Sequence, residues 1–248
     1  MSKKQQAVAL PANVRTTLSL LVPLTLAMIA ISTQADGGAN NALPLGVAGV
    51  VAWLMGMIWF RYGPEGLGLR GGRPWFAGGG FAVIAWVIFL ILRFFLVQID
   101  EQLPELGAGR QFIYLLIFEA FVVHLWVYGL FFRSVADWRG GVSAALASGV
   151  LFGVVAYYTF QENFLGTIPA FLFFIAWGVF YGIVRLRSGS ILGLVMIQPM
   201  QSLTAWFLFP VIPDVPPDTL HMFYMAMTVI YLVLIWRLWP KTLEDYRV

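Results

Sequence analysis

The chain reads as an all-α integral membrane protein, a bundle of about eight transmembrane helices with both termini in the cytoplasm. Three observations predict this. Its 248 residues are 60% hydrophobic and only 11% charged, with a mean hydropathy of +0.82, far outside the averages of soluble domains. Eight apolar stretches divide it, at roughly 17–34, 44–60, 75–97, 111–132, 141–160, 164–184, 190–212 and 219–238. Each is close to the ~20 residues with which a helix crosses a ~30 Å hydrocarbon layer. Finally, 13 of the 15 Lys and Arg residues fall on alternate connections.

Taken in order, the basic edges are Lys3, Lys4 and Arg15, then Arg61, Arg70 and Arg73, then Arg133 and Arg139, then Arg185 and Arg187, then Arg237, Lys241 and Arg247. The intervening loops hold only Arg110, with Arg93 near the end of the third span, and carry Asp36, Asp100, Glu101, Glu105, Glu162, Asp214 and Asp218. The positive-inside rule assigns the basic edges to the cytoplasm. The first span follows a Lys-Lys start, but its length exceeds a signal peptide's apolar region, and its removal would upset the charge alternation; an uncleaved helix is expected. Residues 1–248 form one helical domain with short loops, turned at Gly63-Pro64, Gly71-Gly72 and Pro213 to Pro217.

Gly78, Gly79 and Gly80 open the third helix, and Gly149 and Gly153 form a GxxxG pair in the fifth. Small residues at that spacing let helix backbones approach closely, here inside the bundle. Trp53, Trp59, Trp75, Trp126, Trp236 and Trp239 lie mostly near span ends, as interfacial anchors do. The pI near 9.3 does not point to nucleic acid, because the basic residues are spread over five edges. With no cysteine, disulfides, thiolate ligands and covalent haem attachment are excluded.

Ionisable residues at depth are expensive in a membrane and mark candidate sites. Glu119 lies near mid-bilayer on the fourth helix, and His124 follows five residues later. Five residues is ~140° around an α-helix, so the two do not share a face. His124 and Tyr128 do, and a common partner is open to them. The bland readings are a protonated Glu119 bonded to a neighbouring helix, a satisfied core His124, and Gln198 and Gln201 as interhelical donors in the seventh helix. Pro199 beside them frees a backbone carbonyl. His221 opens the eighth helix, where solvation explains it.

The order of short motifs carries a resemblance. Gly68-Leu69-Arg70 leads into the Gly-rich third helix, and the fourth ends Gly129-Leu130-Phe131-Phe132-Arg133. The fifth contains Ser148-Gly149-Val150-Leu151-Phe152-Gly153, and the sixth ends Trp177-Gly178-Val179-Phe180-Tyr181-Gly182 before Arg185-Leu186-Arg187-Ser188-Gly189-Ser190. Together they resemble the CPBP family of intramembrane proteases, also called the CAAX-protease or Abi family, over about residues 60–206. The resemblance implies Glu-Glu-x-x-x-Arg on the fourth helix, Phe-x-x-x-His on the fifth and His-x-x-x-Asn or Asp on the seventh, with the acids and histidines binding metal or activating water. With Arg133 at the motif arginine, Tyr128 and Gly129 fall at the glutamates. With Phe152 at the phenylalanine, Ala156 falls at the histidine; Gln198 falls at the other histidine and Ser202 at the Asn or Asp.

A catalytic zinc site takes three protein ligands and an open water position. Gly129 and Ala156 carry no ligand atom, an amide replaces imidazole at Gln198, and no general base remains. No metal and no catalytic residue are therefore expected. The leading expectation is a non-catalytic scaffold or accessory subunit of a larger complex in a bacterial cytoplasmic membrane. Its partners would be other integral membrane proteins and lipids, and not nucleic acid. A bioenergetic or photosynthetic complex would add chlorin, carotenoid or quinone contacts, with His124 or His221 as axial ligand; no cofactor is required. A small-molecule or proton transporter using Glu119 is the alternative, and a divergent metalloprotease comes third.

Overall fold

The computed structural model describes residues 10–32, 42–104, 107–159, 167–212, 215–242 and 246–247. Asp36, Glu105, Glu162 and Asp214, and part of the Pro213 to Pro217 turn, lie outside them. Among the described residues, seven helices are long and apolar enough to cross a membrane: α1 (Ala12–Ala30), α2 (Ala42–Trp59), α3 (Arg73–Leu96), α4 (Ala108–Arg139), α5 (Gly141–Tyr158), α6 (Ile168–Ser188) and α8 (Pro217–Leu238). Between α6 and α8 lies a shorter apolar helix, α7 (Leu192–Leu208). The all-α membrane bundle expected from hydropathy is the architecture found.

The seventh apolar stretch differs from expectation in length. Helix α7 reaches only ~25 Å at 1.5 Å per residue. It stops because Phe209 leaves helical geometry (φ −132°, ψ 57°) and the next residues pair with the α3–α4 connection. Gln102 N donates to Leu208 O at 3.0 Å, Asp100 N to Pro210 O at 3.0 Å and Ile212 N to Gln98 O at 3.3 Å, around an isolated bridge between Ile99 and Val211.

Helix α7 nevertheless runs from one end of the bundle to the other. At its start, Ile191 N donates to Gly68 O (2.8 Å) and Ser190 Oγ to Arg70 O (2.6 Å). Both described chain ends meet at that same end. Thr16 Oγ1 donates to Ser134 O (2.9 Å), and Arg247 N to Leu186 O (3.0 Å). An even number of traverses follows, and eight satisfies it.

Local sequence accounts for most helix boundaries. Proline stands in the first turn of α3, α6 and α8, where its missing N–H has no helical partner to lose. Gly140 (φ 85°) and Gly189 (φ 75°) end α4 and α6 in backbone conformations that other residues resist. The bundle is tightest where glycine faces glycine. A Cβ on Gly178 of α6 would strike the carbonyl of Gly149 in α5, and one on Gly182 the carbonyl of Ala145. A Cβ on Gly193 of α7 would likewise strike the backbone nitrogen of Gly79 in α3. The GxxxG pair is thus spent on internal packing.

One tryptophan departs from the interfacial reading. Trp59 and Trp236 are 54% and 73% exposed, but Trp126 is 3% exposed and its Nε1 donates to Ser19 O of α1 at 3.0 Å. An indole N–H that finds a buried acceptor can be core rather than anchor.

Candidate functional site

Helix α4 supplies most of the candidate residues, and its geometry is unusual. Leu115–Val122 and Leu125–Phe131 are π-helical. Such i→i+5 turns are rare and recur at functional sites. Residues on this helix meet α5, α6 and α7 in one buried cluster. His124 is fully buried, and its ring lies 5.2 Å from Tyr128, 5.6 Å from Phe152 and 5.7 Å from Tyr181. Phe152 also packs edge-on to Trp177 at 5.4 Å. Tyr231 of α8 reaches the same core through Phe180 (5.4 Å) and Phe173 (5.8 Å).

His124 and Tyr128 share a face, as their spacing requires, but not a partner. His124 Nδ1 bonds to Ala120 O at 2.9 Å; a carbonyl only accepts, so Nδ1 carries the proton and Nε2 the lone pair. Tyr128 donates its hydroxyl to Gly178 O at 2.7 Å. Nε2 of His124 is buried without a hydrogen-bond partner. It has the electron pair of an axial ligand, and the Tyr128, Phe152 and Tyr181 rings surround the imidazole. His221, the other axial candidate, stands half-buried beside exposed Asp218, 3.9 Å away.

The motif positions separate into two groups. Tyr128 and Phe152 meet directly at 5.5 Å. Gln198 reaches α4 one level away, where its Nε2 donates to the Glu119 main-chain carbonyl at 3.3 Å. That is the interhelical bond expected of it. Ala156, Gln201 and Ser202 are buried, and Ser202 Oγ has no partner. Arg133 lies apart at the bundle end, 3.2 Å from Asp137 and 5.8 Å from the Tyr62 ring centre. Gly129 is covered: a Cβ there would lie 3.0 Å from Leu67 O of the α2–α3 connection.

Glu119 is 9% exposed, and its Oε2 has no partner. The expected bond from a neighbouring helix goes to its backbone instead. Among the described residues, no group of three or more His, Asp or Glu could hold a metal ion. Two grooves lie elsewhere. One of about 560 Å³ is apolar and runs along α2, lined by Ala42, Gly46, Val50 and Phe118 among others. One of about 430 Å³ lies at the far end, against Glu101, Gln102, Leu103, Leu208 and Phe209.

At the near end, Arg15 Nη1 donates to Tyr62 Oη (2.8 Å) and pairs with Asp137 (2.9 Å). Burial pushes the Tyr62 hydroxyl above its ordinary pKa, and the Ser134 hydrogen bond and the Arg15 and Arg133 charges pull it part of the way back.

Sequence reasoning missed Trp177 and Tyr181, although they stand four apart on one face of α6. It also passed over two buried arginines. Arg93 (1% exposed) donates to Ala205 O at 2.8 Å and to Phe209 O at 3.4 Å, at the end of the π-helical turn Leu203–Leu208. Arg185 (0% exposed) donates from Nε to Tyr128 O at 3.2 Å.

A family model described as type II CAAX prenyl endopeptidase Rce1-like matches residues 106–204. The match runs from the start of α4 through most of α7, the segment that builds the buried cluster. It supports the CPBP resemblance read from the motifs. No curated protein and no solved structure matches the chain.

Proposed function

We propose that this CPBP-type multi-pass membrane protein is a non-catalytic member of its kind, serving as a scaffold or accessory subunit of a larger complex in a bacterial cytoplasmic membrane. The observation that carries the reading is the filling of the α4 motif positions. Tyr128 stands where a first glutamate is expected and is tied to Gly178 O, while Leu67 O covers Gly129, where the second would stand. Water activation needs a general base within hydrogen-bond reach of a water site, and a zinc centre needs an open coordination position. Packing of the Tyr128 ring against His124 and Phe152 supports the reading.

The partner surface would be the flank of α2. Its apolar groove beside Phe118 suits an acyl tail or a partner's helix. Gentle extraction from native membranes, followed by native electrophoresis, mass spectrometry and metal analysis of one band, tests the proposal. Co-migration with other membrane proteins, without stoichiometric zinc, is the expected result. A lone band holding one zinc per chain and cleaving a prenylated peptide would return the protein to the proteases.

A second reading rests on Glu119, whose buried Oε2 lacks a partner at mid-helix. An intramembrane carboxyl of that kind suits proton-coupled transport. Proton flux in vesicles that is unchanged by Glu119→Gln would end that reading.

A further inference from the structure

The connection between α2 and α3 lies across the near end of the bundle. It leaves α2 through Arg61, whose φ of 57° is the one positive value outside glycine among the described residues, and passes Gly63 (φ 71°), Gly68 (φ 80°) and Gly72 (φ 67°) before α3. Within it the chain folds tightly: Gly68 N donates to Glu65 O and Leu69 N to Pro64 O, both at 3.0 Å. Its inner face touches three helices and the start of a fourth. The Leu67 side chain is fully buried against α2, where a Cβ on Gly56 would fall 2.7 Å from it, and Leu67 O covers Gly129 of α4. The Gly68 backbone lies directly on the Arg185 guanidinium of α6: an added Cβ would come within 2.7 Å of Nε and 2.9 Å of Nη2. Gly68 O and Arg70 O accept from Ile191 N (2.8 Å) and Ser190 Oγ (2.6 Å), just before α7. On the outer face Pro64, Glu65, Gly71 and Gly72 are exposed, and a Cβ on Gly71 or Gly72 would meet nothing within 4 Å.

Two opposed effects act on this cover. Burial of Leu67 and the two hydrogen bonds beside α7 hold it down. Beneath it, Arg185 is 0% exposed and no acid pairs with it among the described residues. Its Nε and Nη1 donate only to neutral carbonyls, those of Tyr128 (3.2 Å) and Arg247 (3.3 Å), and Nη2 has no partner. The Phe132 ring, 4.8 Å from the guanidinium, offsets part of the desolvation, but a buried cation without a counter-charge remains costly. Lifting the cover returns that cation to water. A segment held by few contacts over a costly group belongs to the parts of a fold that open locally, well before the whole unfolds.

We propose that residues 63–72 are a strap that opens and closes over the near end of the bundle, pivoting at Gly63 and at Gly71-Gly72. Closed, it seals Arg185 and the Gly129 surface of α4 from water; open, it gives access to both from the side that the positive-inside rule assigns to the cytoplasm. The inference goes beyond the scaffold reading and does not rest on it: Gly129 carries no ligand atom, so opening exposes a surface and restores no catalytic group.

The chain has no cysteine, so a single introduced thiol is a clean reporter. Ser190→Cys places one beneath the strap, at a fully buried residue; Ser148→Cys places another, equally buried, inside α5, where it reports opening of the whole bundle. Each is labelled with a charged maleimide on the full chain in nanodiscs. The rate follows the open population as long as reclosing outpaces the reaction. Ser190→Cys is expected to react at least about tenfold faster than Ser148→Cys. Gly72→Ala strains the closed backbone while its Cβ meets nothing, so it should speed the Ser190→Cys reaction about tenfold and leave Ser148→Cys unchanged. Arg185→Met keeps the length, removes the charge and should slow the reaction about tenfold. An arginine that only braces the fold gives the opposite sign, because its loss removes the bonds to Tyr128 O and Arg247 O. Equal rates at the two thiols, with and without Gly72→Ala, overturn the proposal. Acceleration by Arg185→Met overturns it as well.

Discussion

At the α5–α6 seam a Cβ on Gly178 would run into the Gly149 carbonyl, whereas on α2 a Cβ on Gly46 would meet only the Phe118 ring, at 3.6 Å. The seam glycines are spent on backbone contact, whereas Gly46 borders an open groove, although Gly49 and Gly56 on the same helix pack against Val122 and Leu67. The difference follows the family match. Residues 106–204 contain the seam and most of the buried cluster, and 78% of the α4 window is buried against 39% of α2. Close packing is greatest along α4, and the groove beside Gly46 lies outside it.

Gly178→Leu gives the most direct way to break that contrast. Overpacking against backbone cannot be relieved by a rotamer change, so a loss of about 3 kcal/mol or more is expected, read as a lower unfolding midpoint in detergent. Gly46→Leu should stay within about 0.5 kcal/mol and yet fill the α2 groove. If it leaves stability intact and abolishes co-migration with a partner, the groove is the docking face. If both variants unfold the protein equally, the contrast between seam and flank is wrong.

Trp126→Phe probes the join between core and flank, because it removes the indole bond to Ser19 O of α1. A loss of about 1 kcal/mol is expected, with α1 becoming more accessible to protease than α5 or α6.

Smaller effects belong to the near end. Arg15 and Asp137 are each about a fifth exposed, so Asp137→Asn should cost under about 1 kcal/mol and matter less at high salt. Tyr62 adds an alkaline signature. Its folded-state pKa is raised, so its contribution is complete below the unfolded value of about 10 and is lost as pH rises through the folded value. Thermal melts above pH 10 should therefore show a decline that Tyr62→Phe reduces.

Much of the architecture was legible in the chain. The eight apolar stretches correspond to eight helical segments, and the alternation of basic edges agrees with the even number of traverses that the contacts require. The site was legible only in part. Gln198 behaves as an interhelical donor because an amide in an apolar helix must find an acceptor, and the sequence says as much. His124 and Tyr128 were placed on one face, but their separate partners, Ala120 O and Gly178 O, depend on the π-helical register of α4 and on the approach of α6. Neither is encoded in a spacing.

What the sequence by itself determined is whatever depends on a residue's own chemistry: which segments are apolar enough to span, which edges are basic, where Pro and Gly begin and end helices. Tertiary structure decided the fate of residues with two acceptable environments. Trp126 can anchor at an interface or bond inside a core, and α1 supplied the acceptor that made it core. Arginine suits a headgroup or a helix end equally well. Arg93 took the second role because a π-helical turn and an early end of α7 left carbonyls for it, and Arg185 was buried beside Tyr128 O with no acid paired to it among the described residues. Such choices turn on partners far away in the chain, which is why local pattern could name these residues and not place them.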